Sequence, residues 1–177
     1  MPTAFDVFVC EECKDVDFGF SSARAPLRYE SVGKEIVHAL KYQGYTRVVG
    51  RLMAPLMEEV VEGSFDTVTC VPLHSSRRRQ RGFNQAELMA RAVAERIKVT
   101  FSVKLEAIKK TRDQVELSAS ERRRNVEGAF RVRGPVQGKV LLVDDVFTTG
   151  ATLSAGSETL TRAGAAEVHA LTLCRTC

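Results

Sequence analysis

The run Val140-Leu141-Leu142-Val143-Asp144-Asp145-Val146-Phe147-Thr148-Thr149-Gly150-Ala151-Thr152 constrains this chain more than any other part of it. Four consecutive aliphatic residues after Gly138 and Lys139 predict a strand buried on both faces, the kind found in the middle of a parallel sheet. In open α/β sheets the ligand crevice lies beyond the carboxyl ends of the strands. That rule puts Asp144 and Asp145 at the rim of such a crevice and the segment from Phe147 to Thr152 on its floor.

The chemistry of the run divides in two. Thr148, Thr149, Gly150, Ala151 and Thr152 form a turn of small residues leading into a helix that continues through Leu153-Ser154-Ala155. Free backbone N–H groups at a helix start, with hydroxyls beside them and a glycine that allows close approach, suit a phosphate monoester. The two carboxylates would repel that phosphate. They suit sugar hydroxyls, from which an ionised carboxylate accepts hydrogen bonds, or a magnesium ion carried by a polyphosphate. A ribose phosphate satisfies both halves; the plainer alternative is a buried strand, an aspartate helix cap and a threonine-rich turn. Neither G-x-x-x-x-G-K-[ST] nor G-x-G-x-x-G occurs, which argues against P-loop and dinucleotide chemistry.

A second chemical stretch follows the predicted strand Phe65 to Val71. Arg77, Arg78, Arg79 and Arg81 crowd a segment expected to be a loop at that strand's carboxyl end, beside the same crevice. Guanidinium groups offer planar forks that match phosphate oxygens, so the cluster fits pyrophosphate, and equally a nucleic-acid backbone. A solvated basic loop is the bland alternative. Next, Asn84 and Glu87 stand at capping-box spacing before a helix with Leu88, Met89, Ala92, Val93 and Ile97 as its buried stripe.

The run from Val140 to Thr152 closely resembles the phosphoribosyl pyrophosphate (PRPP) motif of type I phosphoribosyltransferases. Two further segments, Val71-Pro72-Leu73-His74 through Arg81-Gly82-Phe83-Asn84-Gln85 and Arg122-Arg123-Arg124-Asn125-Val126-Glu127-Gly128-Ala129-Phe130, narrow the resemblance to the ComF family. These are bacterial phosphoribosyltransferase-like proteins associated with competence for DNA uptake. The resemblance spans roughly residues 18 to 173. It implies a type I phosphoribosyltransferase fold, a mostly parallel sheet flanked by helices, with a small N-terminal appendage over residues 1–30 and the phosphoribosyltransferase-like domain over 31–177. It also makes the arginine cluster the pyrophosphate loop. The polar stretch Lys109 to Glu127 becomes a flexible hood that closes over the substrate, its Lys109, Lys110, Arg112 and Arg122 to Arg124 meeting pyrophosphate on closure.

The five cysteines are odd in number, against a secreted disulfide framework. Cys10-Glu11-Glu12-Cys13 and Cys174-Arg175-Thr176-Cys177 each have the spacing of half a zinc knuckle. Family resemblance implies an N-terminal four-cysteine zinc finger, of which this sequence carries only the second pair. Either an upstream pair is missing, or Cys174 and Cys177 complete a site with Cys10 and Cys13. Cys70 reads as a small core residue.

The remaining elements follow from periodicity. Residues 15 to 30 predict a weak hairpin or edge segment, Val32 to Tyr42 a helix, and Arg47 to Val61 a second helix that is kinked or split into two short helices at Pro55. Val99, Phe101, Val103 and Leu105 predict a half-exposed strand, Ala129 to Arg133 another. The last helix runs from Thr152 to Arg162 and the last strand from Val168 to Leu173. His38 and His169 read as structural. A length of 177 residues with 44% hydrophobic and 27% charged content suits one ordinary globular domain. No apolar run is long enough to span a membrane and no signal sequence is present, so no membrane insertion and a cytoplasmic location are expected.

Two functional readings result. In one, magnesium-bound PRPP sits with its 5′-phosphate on Thr148 to Thr152, its ribose hydroxyls on Asp144 and Asp145 as the catalytic acids, and its pyrophosphate on Arg77 to Arg81, and is attacked by an acceptor the sequence does not identify. In the other, the pocket senses PRPP without catalysis. The basic segments then hold single-stranded DNA in concert with other DNA-uptake proteins.

Overall fold

The computed structural model describes residues 16–42, 46–110 and 119–176. Its elements are β1 (Ser22–Arg24), β2 (Leu27–Arg28), α1 (Ser31–Tyr42), α2 (Thr46–Glu59), β3 (Thr67–Cys70), α3 (Ser75–Arg81) and α4 (Gln85–Ile97). There follow β4 (Leu105–Ala107), α5 (Ala119–Val126), β5 (Phe130–Val132), β6 (Lys139–Phe147), α6 (Ala151–Arg162) and β7 (Glu167–Arg175).

β6 is the doubly buried strand that its aliphatic run predicts. It lies between β3 and β7 in a parallel sheet of order β1-β7-β6-β3, with β2 also paired to β7. Val68 lies opposite Leu141, and Val140 opposite Val168, up to Asp144 opposite Thr172. Successive side chains point to opposite faces. Leu141 and Val143 therefore join a core under α1, α2 and α4, with Val37, Leu40, Met57, Met89 and Val93. Val140 and Leu142 join a second core with Leu153 and Leu160 of α6 and Leu105 of β4. Beyond the acid pair the alternation slips: Val146 packs on the first core and Phe147 on the second. Both faces of β6 are covered, giving the parallel sheet and flanking helices that the resemblance to type I phosphoribosyltransferases implies.

Four expectations are modified. Residues 16–30 take the edge-segment form and not the hairpin: β1 and β2 both run parallel to β7, in register from Ser22 with His169 to Arg28 with Arg175. Their phenylalanines explain this, since Phe18 and Phe20 stack at 5.1 Å and meet the Phe147 ring edge-on at 5.8 and 6.2 Å. Pro55 lies inside one helix and does not divide it. The alternating segment from Val99 makes a single bridge, Phe101 to Val68, at the sheet edge, and its strand proper, β4, starts only at Leu105 and pairs antiparallel with β5. Finally, the arginine-rich segment is α3, a helix rather than a loop. His74 caps it, Nδ1 accepting from Ser76 N, and Gly82 closes it at φ 82° with its N–H on Arg78 O.

α1 is laid tightly over the ends of β2 and β7. A Cβ on Gly33 would sit 2.2 Å from Arg28 O, and Gly33 O accepts the Cys174 thiol at 3.6 Å. This close approach fixes the axis of α1, and with it the place of Lys41 in the helix's last turn.

Candidate functional site

The site is built at the carboxyl ends of β3 and β6. Asp145 is buried, 7% exposed, and Asp144 partly so. A buried carboxylate needs compensation. Asp145 Oδ2 receives it twice, from Lys41 Nζ at 2.9 Å and from Gln85 Nε2 at 3.0 Å. Gln85 in turn accepts from Arg81 Nη1 through Oε1 at 2.8 Å. One chain of contacts thus runs from α1 through the second acid and the start of α4 to the end of α3.

Asp144 is treated differently. Its Oδ1 accepts the Asp145 backbone N–H at 2.9 Å. Burial, followed by the neighbouring Asp145 charge, pushes its carboxyl well above the usual aspartate range, against the pull of that N–H and of Lys41. For Lys41, burial pulls the ammonium down. The charge and hydrogen bond of Asp145, with Asp144 behind, outweigh burial and hold it raised.

The turn after β6 meets the start of α6 at Gly150, whose φ of 72° is left-handed and whose position as helix cap is filled without any side-chain hydrogen bond. Only glycine fits: a Cβ there would lie 2.6 Å from the Phe18 ring and 3.0 Å from Phe147. Thr149 Oγ1 is buried with no hydrogen-bond partner among the described residues. An unpaired buried hydroxyl costs about 1–3 kcal/mol, and a ligand oxygen would remove that cost. Thr148 is tied down by its carbonyl, which accepts from Thr176 Oγ1 at 3.4 Å. Ala151 is buried with Val126 and Ala129, so the end of α5 packs against the start of α6.

Of the arginines on α3, Arg78 and Arg79 are exposed and Arg77 and Arg81 half-buried. Arg78 also pairs with Glu87 at 3.3 Å. Asn84 caps α4 as its spacing predicts, Oδ1 accepting from Ala86 N at 3.1 Å, but Glu87 turns to Arg78 and to Arg91 at 2.9 Å. Of the expected hood, Lys109 to Glu127, the described part is residues 109–110 and 119–127, most of it α5, on which Arg124 is exposed. Residues 111–118 lie outside the described residues. So do Cys10, Cys13 and Cys177. Cys174 is a buried thiol whose burial, with the Asp145 charge behind it, pushes it up to about 11. Its setting is that of a core cysteine, and among the described residues no three His, Cys, Asp or Glu gather as a metal site. His169 bonds Ser22 Oγ at 2.8 Å and Glu167 Oε2 at 3.1 Å, three positions before the level of Asp144, and stays structural.

Lys41 and Gln85 escaped the reading of the sequence as site residues. A signal for Lys41 exists: it falls four residues after Val37, where the apolar stripe of α1 calls for its next member.

Comparison with known proteins agrees with this geometry. Residues 40–176 match the family model described as phosphoribosyl transferase domain. Over 150 residues the chain is 37% identical to the DNA utilization protein YhgH of Salmonella typhi, covering 80% of this chain and 66% of that protein. It is 34% identical over 116 residues to competence protein F of Haemophilus influenzae, covering 62% of this chain and 50% of that protein. With competence protein ComFC of Streptococcus pneumoniae it shares 28% identity over 157 residues, 87% of this chain and 68% of that one. The chain thus spans 66% of the length of the YhgH relatives it matches.

The raised Asp144 carboxyl carries a stability prediction. The folded carboxyl holds its proton more tightly than the unfolded one, so wild type loses stability as pH rises from the ordinary aspartate value of 3.8 through the folded value. Asp144→Asn removes that loss. In urea titrations of ligand-free protein, the midpoint of Asp144→Asn lies above wild type at neutral pH, and the difference closes in acid.

Proposed function

The chain belongs to the phosphoribosyl transferase domain family, within it to the ComF type, and from that premise we propose that it binds PRPP with magnesium. The 5′-phosphate lies on the turn from Thr148 to Thr152, the ribose hydroxyls on Asp144 and Asp145, and the pyrophosphate towards the arginines of α3. The observation that carries the reading is Thr149 Oγ1, buried and unpartnered beside a helix start that no side chain caps. A phosphate oxygen answers both needs. The acid pair, lacking a third ligand among the described residues, suits a magnesium ion that brings most of its oxygens with the ligand.

As a transferase, the chain would act by holding rather than by covalent participation. The bond from C1 to the pyrophosphate oxygen breaks with its electron pair leaving on pyrophosphate. An acceptor nitrogen supplies the pair for the new C1–N bond. Asp144 and Asp145 would orient the ribose ring and favour the positive charge developing on it, and the α3 guanidiniums would receive the leaving charge. Magnesium would supply further neutralisation of the pyrophosphate. No helix among the described residues is long and apolar enough to cross a membrane, and we place the activity in the cytoplasm.

A second reading, PRPP sensing coupled to single-stranded DNA, draws on the names of the relatives, "DNA utilization" and "competence", and on the exposed guanidiniums of Arg78, Arg79 and Arg124. Backbone phosphate contacts of this kind weaken steeply with salt. A zinc ion on Cys10 and Cys13 also belongs to the proposal, through their spacing and the family resemblance. About one zinc per chain in purified protein is the check.

Magnesium-PRPP at a hundred times its dissociation constant should stabilise the wild type by roughly 2.7 kcal/mol, read as a raised melting temperature. The Asp144→Asn/Asp145→Asn variant should show no such response; an equal response would remove the acids from the site. Pyrophosphate release across a panel of nitrogen bases then separates transferase from sensor. Anisotropy of a labelled oligonucleotide over a salt series tests DNA: binding unchanged in Arg78→Ala/Arg79→Ala/Arg124→Ala would place the strand elsewhere.

A further inference from the structure

Asp145 stands near the carboxyl end of β6, and its two side-chain contacts among the described residues come from helices α1 and α4. Lys41 Nζ and Gln85 Nε2 converge on the same oxygen, Oδ2, from two different helices, α1 and α4. Two donors on one oxygen fix the carboxylate plane, so the orientation of the other oxygen is set by the fold and not by the ligand. The Lys41 side chain is 25% exposed and that of Asp145 10%, so little water competes for the pair. Gln85 can reach Asp145 with its amide nitrogen only because its oxygen is held by Arg81, which fixes the flip of the amide.

We infer that Lys41 and Gln85 are positioning residues for the ligand site: they hold Asp145 in one orientation for the ribose, and through Arg81 they join the acid pair to the arginine helix in a single hydrogen-bonded chain. The inference rests on the PRPP reading and deepens it. The charges facing Asp145 come from three elements: Lys41 on α1, Asp144 beside it on β6, and Arg81, through Gln85, at the end of α3. Asp144 has no comparable support, its Oδ1 accepting one backbone N–H. The two acids are therefore unequal. Asp145 is set in place before a ligand arrives, and Asp144, only partly buried and held by one backbone N–H among the described hydrogen bonds, is the acid more open to a ligand hydroxyl or cation. When pyrophosphate draws on Arg81, the pull passes to Gln85 and on to Asp145, which couples occupancy at the two ends of the ligand.

The test is calorimetric titration of magnesium-PRPP into wild type, Lys41→Met, Lys41→Arg, Gln85→Leu, Asp145→Asn and Lys41→Met/Asp145→Asn, each checked for folding by circular dichroism. Lys41→Met and Gln85→Leu should each weaken binding by about tenfold or more, the usual effect of removing a support behind a ligand-contacting group. Lys41→Arg should restore binding to near the wild-type level. In the Asp145→Asn background, Lys41→Met should change affinity by less than about twofold, because the two residues act as one unit. Inorganic phosphate, held by the hydroxyl turn and followed by phosphorus NMR, should bind all variants alike, which general structural damage would not allow. Should Lys41→Met misfold, Gln85→Leu carries the same comparison. Wild-type binding with unchanged Lys41→Met and Gln85→Leu, or a full additive loss in the Asp145→Asn background, would overturn the inference alone. No binding by wild type would overturn the PRPP reading and this inference with it.

Discussion

The ion pair between Lys41 and Asp145 is the interaction on which the site depends. Two adjacent aspartates at the end of a buried strand repel each other, and burial penalises both charges. An ammonium at 2.9 Å and an amide at 3.0 Å on the second acid make that arrangement tenable. The cost stays on the first acid, whose carboxyl is pushed well up. This is the pattern of a binding site kept ready at the expense of the ligand-free fold. It also gives α1 a task beyond covering the sheet, since the tight seat of Gly33 on Arg28 is what aims the last turn of the helix at the acids.

The phosphate end is organised by exclusion. Phe18 and Phe20, brought in beside β7 by the strand pairing of residues 22–28, wall off the underside of the turn with Phe147, so position 150 has room for glycine alone. The left-handed turn this permits leaves, among the described residues, the start of α6 with no side-chain cap and Thr149 Oγ1 with no partner. Both features would be defects in a purely structural turn. Together they suit an anion, and Val126 at the end of α5, with Ala129 just beyond it, packs on Ala151 beside them.

What was legible in the sequence was whatever a single strand or helix determines by itself. The aliphatic run of β6, the acids at its end, the hydroxyl turn, the Asn84 cap and the stripes of α1, α4 and α6 all follow from local period and composition. What was not legible depends on partners far apart in the chain. The pairing of residues 22–28 with β7 was not read because parallel strand pairing leaves no mark in a short apolar segment. The arginines read as a loop because a polar helix of seven residues has no apolar stripe, its ends being set by His74 and Gly82. Lys41 and Gln85 read as ordinary helix residues, since the contact that makes them functional spans 60 residues in the case of Gln85.

The central claim is that the buried, unpartnered hydroxyl of Thr149 is present for a ligand phosphate and not for the fold. Thr149→Val keeps the shape and removes the hydroxyl, and the direct measurement is its unfolding free energy alongside calorimetry with magnesium-PRPP. A buried hydroxyl with no partner among the described residues costs the ligand-free state stability, so stability should be unchanged or raised while PRPP affinity falls by about tenfold, the loss of one hydrogen bond to a charged group. Undiminished PRPP affinity, or a loss of stability matching any loss of binding, would contradict the account.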